Sequence, residues 1–354
     1  MFKPLTLALC AIASPSLAEA PRVVTDIAPV HALAARVMQG VGTPGMIVAP
    51  GASPHDYALR PSDARALSGA DLVFWIGAEL TPGLEKPLAT LAGDAESIAL
   101  LHADATLART WRETFHSDEE DGHEGHATEE RHDDHDHDHE GHDDHDHEEH
   151  ALDDHGHGDH DHDDEGHAHD DHKDHAHEGH AHDHDGEDPH AWLDPENGKA
   201  WLGLMAETLA SRDPANAALY RANAAAGQDE IDAAVAQIET LLQPVADHPY
   251  IVFHDAYQYF EHRFGLRPVG AISLADASDP SPARIAALRD TLRDTGATCV
   301  FSEPQFTSGL TDAVFDGTTA RTALIDPLGS DLEPGPDFYP ALLLSLARAI
   351  AGCL

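Results

Sequence analysis

Two α/β domains joined by one long helix are predicted by three observations in this 354-residue chain. Short β-branched runs alternate with helical patterns up to residue 101, the same alternation resumes at residue 250, and between them no proline interrupts the chain from Pro214 to Pro244. Strands that alternate with helices argue for parallel βα units. A chain of this length has room for two such domains, each with its own core.

In the first domain, residues 23–27 form a β-branched run, followed by a helical pattern over residues 31–38 that ends near Gly40. The alternation repeats as strands at residues 46–48, 71–76 and 97–101, with helices at residues 62–67 and 84–91 between them. A long acidic insertion follows at residues 116–188, and then a helical stretch to about Ser211. Asp213 is a suitable N-cap with Pro214 at the first helical position. Ile231, Val235, Ile238 and Leu242 recur at helical spacing, so one helix of about 30 residues would span roughly 45 Å, the height of two stacked domains. The competing arrangement is two helices broken at Gly227. The second domain then has strands at residues 250–253, 268–272, 298–302 and 322–325, and helices at residues 258–264, 281–294, 310–318 and 339–351. The expected division is a leader at 1–20, a first domain at 21–212, a linker helix at 213–243 and a second domain at 244–354.

The insertion is a tract of His, Asp, Glu and Gly. It holds 23 of the chain's 30 histidines, in runs such as His135, His137 and His139, and His180, His182 and His184. With Leu152 as its one large apolar residue, it cannot bury enough surface to offset the entropy of ordering its backbone, and disorder without metal is expected. Imidazole suits zinc, copper and nickel, and the carboxylates add a negative field that attracts any divalent cation, so these histidines are expected to be secondary, weak metal sites. Residues 116–188 carry 32 acidic against 2 basic residues, a net of −30, leaving −15 of the formal −45 for the rest of the chain. Such a field repels nucleic acid and anionic membranes.

Lys3, the apolar run over residues 5–12 and the small residues around Ser16 and Ala18 have the layout of a secretory signal cleaved after Ala18 or Ala20, which predicts an exported chain. Cys10 is preceded by Leu9 rather than a small residue, which argues against a lipid anchor. No later run reaches the roughly 18 apolar residues of a membrane span. Removing the signal leaves Cys299 and Cys353, an even count in an oxidising compartment, and a disulfide between them is expected. Closing a loop of about 54 residues would be worth roughly 4 kcal/mol on the chain-entropy estimate. The alternative is two free buried thiols.

Ligands of α/β domains bind beyond the carboxyl ends of the strands. Four residues fall in such loops: His55, His190, His254 and Asp326, two from each domain. Alone, each is more simply a surface or core residue, and an Asp before Pro is commonly a turn or cap; their joint placement makes them candidates. Three imidazoles and a carboxylate suit tetrahedral zinc with bonds of about 2.0–2.2 Å, whereas manganese favours more oxygen ligands. Copper would bind more tightly by the general affinity order, so its exclusion would rest on geometry and availability.

The segments at residues 51–63 (GASPHDYALRPSD), 188–197 (DPHAWLDPEN), 254–266 (HDAYQYFEHRFGL), 301–306 (FSEPQF) and 325–329 (IDPLG) resemble the ZnuA family of zinc-binding periplasmic proteins. The likeness runs from about Val23 to Leu354. It implies two (β/α)4-type domains joined by a single long helix, a zinc site in the cleft between them, a His-rich loop, and a monomer that delivers Zn2+ to the membrane permease of an ABC importer. Position by position, it implies His55, His190 and His254 as ligands and Asp326 as the matching carboxylate, with His254 where manganese members place Glu. Pro54 stands where some zinc members have Glu, so the fourth ligand is either Asp326 or water. Cys299 and Cys353 also resemble a disulfide pair of the zinc members. Glu303 is either an acceptor for a ligand histidine or a strand-end residue meeting solvent, and Trp192 and Tyr257 are expected to pack the cleft.

Three functions compete. A zinc-capturing component of an importer is favoured. A secreted zinc hydrolase would need a positioned base, and no HExxH-type signature is present. A periplasmic metal buffer would make the tract the working part and should bind several ions with similar affinity.

Overall fold

The computed structural model describes residues 20–112, 186–273, 281–306 and 320–354. The predicted leader up to residue 19, the tract histidines including His135, His137, His139, His180, His182 and His184, and the predicted helix at 310–318 lie outside them.

Among the described residues, eight strands form two four-stranded, all-parallel sheets. The first comprises β1 (Val23–Thr25), β2 (Gly45–Met46), β3 (Leu72–Trp75) and β4 (Glu96–Ala99) in the order β2-β1-β3-β4. The second comprises β5 (Tyr250–His254), β6 (Pro268–Ser273), β7 (Cys299–Ser302) and β8 (Arg321–Leu324) in the order β6-β5-β7-β8. The topology is the same twice. The central strands β1, β3 and β5 are buried along their whole length, which is why they read as unbroken apolar runs rather than alternating ones. In each sheet the chain steps outward from its first strand and then crosses to the other side, so the order reverses between β1 and β3 and between β5 and β7, the positions at which sheets of this kind bind ligands.

The helices are α1 (Ala28–Val37), α2 (Pro61–Ser68), α3 (Pro82–Leu91), α4 (Pro195–Arg212), α5 (Ala217–Leu242), α6 (Gln258–Phe264), α7 (Pro282–Thr295) and α8 (Phe338–Cys353). None among the described residues is long and apolar enough to cross a membrane. The connecting helix α5 has 26 residues and starts three positions later than the proline pattern predicts. Asp213 does not cap it: its amide closes the last turn of α4 on Leu209, and its carboxylate accepts from the Asn216 amide and the Tyr220 hydroxyl across the turn. Helix α5 runs unbroken through Gly227. A Cβ there would lie 3.0 Å from both Arg36 Cγ and Leu202 Cδ1, so the glycine serves the close approach of α5 to α1 and α4 rather than a break.

One continuous apolar core spans both sheets, with Trp192, Trp201, Tyr220, Tyr250 and Tyr339 among its fully buried side chains. Two of these bond across it. The Trp192 indole donates to Pro327 O at 2.9 Å, and the Tyr339 hydroxyl donates to Trp192 O at 2.6 Å. A Cβ on Gly198 would come within 2.4 Å of that hydroxyl, so α4 can seat against α8 only with glycine there. The disulfide joins Cys299, the first residue of β7, to Cys353, the last of α8, as expected.

Candidate metal centre

His254 is the last residue of β5, at the reversal point of the second sheet, and its ring Nδ1 lies 2.7 Å from Oε1 of Glu303, which follows β7. Both side chains are buried. His190 sits in the entry to α4: residues Ala191–Leu193 form a short 3-10 turn, and Asp194 then caps α4 by accepting from the Glu196 amide at 3.0 Å, with Pro195 at the first helical position. Oδ1 of Asp188 accepts from the His190 backbone amide at 2.9 Å and pairs with its Nδ1 at 2.8 Å. A carboxylate against Nδ1 fixes the proton there, orients the ring, and directs the Nε2 lone pair away from the carboxylate, the arrangement that makes imidazole a good metal donor. His55 comes from the turn after β2, where its amide donates to Ser53 Oγ at 3.3 Å, and it is half-buried.

The three rings are neighbours. The His55 and His190 ring centres are 5.7 Å apart and those of His190 and His254 are 5.3 Å apart. Imidazoles bound tetrahedrally to zinc at about 2.1 Å would have ring centres roughly 5 Å apart. No three His, Cys, Asp or Glu among the described residues form a ready-made metal site, so binding would require these side chains to turn toward a shared ion. The rings border a cleft of about 300 Å3 whose other walls include Ser53, Trp192, Glu303, Phe306 and Pro327. Phe306 and Tyr257 meet the His254 ring edge-on, at 5.5 and 6.2 Å between centres. Such apolar walls limit water and lower the local dielectric around a bound ion.

Asp326 is placed differently. Its Oδ1 accepts from the Leu328 amide and the Gln305 side chain, and its Oδ2 from the amide and hydroxyl of Ser330, so the carboxylate organises its own loop. Its neighbours Gln305, Pro327 and Leu328 line the cleft. Trp192 and Tyr257 pack the site as expected; burial, with the Glu303 and Asp326 charges nearby, raises the Tyr257 hydroxyl well above its ordinary range and keeps it protonated.

Sequence reasoning missed Asp188, Trp111, Arg112 and Asp255. Asp188 was within reach, because an Asp two residues before a candidate ligand can fold back on it. Trp111, whose ring meets His190 edge-on at 5.8 Å between centres, is 79 positions away in sequence and gives no local signal. Burial pushes the Asp255 carboxyl up to about 7, with Glu261 and Asp188 adding to the effect and Arg112 opposing it.

Comparison with known proteins places these residues in a wider set. Residues 23–353 match the family described as zinc-uptake complex component A, periplasmic (ZnuA). The chain is 46% identical over 333 residues to the high-affinity zinc uptake system protein ZnuA of Brucella abortus, covering 94% of this chain and 91% of that one. It is 44% identical to the protein of the same description from Paracoccus denitrificans, covering 100% of this chain and 99% of that one. Among solved structures, a ZnuA crystal structure superposes with a TM-score of 0.66 at 21% identity, covering 94% of this chain and 99% of that one. The periplasmic zinc-binding protein TroA of Treponema pallidum superposes with a TM-score of 0.63 at 17% identity, with coverage of 94% and 99%. These two likenesses concern the fold.

Proposed function

Because the chain belongs to the ZnuA family of periplasmic zinc-uptake components, we propose that it captures Zn2+ with His55, His190 and His254 and hands it, as a monomer, to the permease of an ABC importer. The observation that carries this reading is the pair of buried carboxylates, Asp188 and Glu303, set on Nδ1 of two histidines from opposite halves of the chain whose rings are 5.3 Å apart. Two imidazoles held in one tautomer with adjoining faces are prepared for a cation that prefers nitrogen, which favours zinc over manganese. The four hydrogen bonds that Asp326 accepts favour water as the fourth ligand, with Asp326 keeping its loop in place. In the same reading residues 1–20 are an export signal, residues 21–212 and 244–354 are the two domains, residues 213–243 join them, and the tract histidines are weaker accessory sites.

The test is zinc titration against a competing chelator, on the full chain and on a chain lacking residues 117–184. One tight site should persist in the shortened protein while a set of weak sites disappears. A shortened protein that stays folded but binds no zinc tightly would put the main site in the tract and overturn the assignment.

A further inference from the structure

Where the described chain breaks off at Arg112 and resumes at Gly186, its two ends form a short antiparallel ribbon. Thr110 bridges Glu187, the Trp111 amide donates to Gly186 O at 3.3 Å, and the Asp188 amide donates to Arg109 O at 2.8 Å. One end of this ribbon serves His190, through the Asp188 carboxylate on Nδ1 and the Trp111 ring on the imidazole edge.

The ribbon is also fastened to the half of the chain that carries His254. The Tyr259 hydroxyl accepts from the Arg109 amide at 2.8 Å and donates to Asp188 O at 2.9 Å, so one phenol of α6 spans both strands. The Gln258 side chain donates to Thr110 O at 3.1 Å. Nη2 of Arg112 lies 2.6 Å from Asp255 and 2.5 Å from Glu261, two acids whose side chains are 0% and 3% exposed. Glu261 accepts on its other oxygen from the Tyr250 hydroxyl at 3.0 Å, at the start of β5. Asp255 directly follows His254. Two buried carboxylates this close to one cation are costly to leave uncompensated, so their charge dictates where Arg112, and with it the ribbon, must sit.

We propose that Arg112 is a positioning residue of the metal centre: by pinning the ribbon to Asp255 and Glu261 it holds Asp188 and Trp111 in place, and so sets the His190 ring against the His254 ring. Its action passes through the ribbon, by way of its contacts with Asp255 and Glu261. This rests on the assignment of His190 and His254 as ligands.

The experiment compares zinc affinity by chelator competition, and the visible absorption of the Co2+-substituted site, in the full chain and in four variants. Arg112→Gln leaves two buried acids without their cation and can fail to fold, so the outcome is read on Arg112→Met/Asp255→Asn/Glu261→Gln, in which no buried charge is left alone. That variant should fold, bind zinc roughly ten- to a hundredfold more weakly, as loss of an outer support does, and show an altered Co2+ band intensity. Arg112→Lys should recover most of the affinity, because one nitrogen meets both acids and an ammonium can take its place. A folded triple variant with unchanged affinity and an unchanged Co2+ spectrum overturns the proposal, provided that His190→Ala measured alongside loses the tight site. If His190→Ala binds as the unaltered protein does, the ligand assignment fails first and the proposal falls with it.

Discussion

The two sheets have one topology but use their reversal points differently. In the second, His254 at the end of β5 faces Glu303 beyond β7, and the pair opens onto the cleft. In the first, Asp26 follows β1 and its carboxylate accepts from the Ile27 amide at 2.8 Å and the Ile76 amide at 2.7 Å, which ties β1 to the end of β3. The same position therefore holds a histidine and its acid in one half, and is closed by an acid clamped to backbone amides in the other. The first half supplies its histidines from loops instead: His55 from the turn after β2, and His190 from the segment leading into α4. The fold offers two equivalent places for chemistry, and among the described residues it is the second that opens onto the candidate metal centre.

That contrast breaks most directly at His254. Its replacement by Ala should lower zinc affinity at least a hundredfold, about 3 kcal/mol, because no described imidazole can take over a position at the end of a buried strand. Chelator competition measures this, and a loss equal to that of His160→Ala in the tract would remove His254 from the site.

A finer division separates the two acids that support rings. Glu303 reaches His254 from another strand, 49 positions away in sequence, whereas Asp188 is held to His190 by that residue's own backbone amide as well as by its ring. In Asp188→Asn the amide of His190 should keep the remaining carbonyl oxygen turned toward Nδ1, so much of the support survives. Glu303 has the Tyr257 hydroxyl as a further partner but reaches its histidine from 49 positions away, so Glu303→Gln should cost more, toward the upper part of the ten- to hundredfold range typical of outer-shell changes. Equal losses in both variants would show that charge, not orientation, is what the acids supply.

The same distinction explains how much was legible beforehand. The strand and helix alternation and the cysteine pair rest on local pattern or on parity, and the described residues have both; of the histidines, His55 lies in the turn after β2, while His254 is the last residue of β5 rather than in the loop beyond it, and His190 lies in the segment leading into α4. The start of α5 was misjudged because Asp213 and Pro214 look like a cap, while Tyr220 and Asn216 recruit the Asp213 carboxylate into the preceding turn. The single helix expected over the break at Gly227 is what the structure has, but the reason for the glycine, its close approach to Arg36 and Leu202, leaves no trace in its own segment. Arg112 and Asp255 pair over 143 positions, and nothing near either of them signals the other.

The smallest expected effect concerns Asp26, the acid that holds amides rather than a ring. Burial pushes its carboxyl up to about 7, against the lowering effect of the two amides it accepts from. An acid with a raised folded pKa keeps its proton in the native state while the unfolded chain has already released it. Between its ordinary value of 3.8 and about 7 the native state therefore binds more protons, and stability falls as pH rises through that window. One such group contributes a slope of up to about 1.4 kcal/mol per pH unit, which vanishes above about pH 7, where both states are ionised. Asp255 acts in the same direction over the same window, whereas Asp71, lowered to about 2 by Arg22, acts in the opposite sense and only below pH 4. Asp26→Asn cannot titrate, and its stability in the presence of chelator should decline less steeply than that of the unaltered chain between about pH 5 and 7. Its tight zinc site should be retained, because Asp26 bonds to amides and to no candidate ligand. Denaturant midpoints at several pH values give the slopes directly. Parallel curves across that window would show that Asp26 is ionised in the fold, and that the first reversal point is closed by a charge-assisted clamp rather than a neutral one.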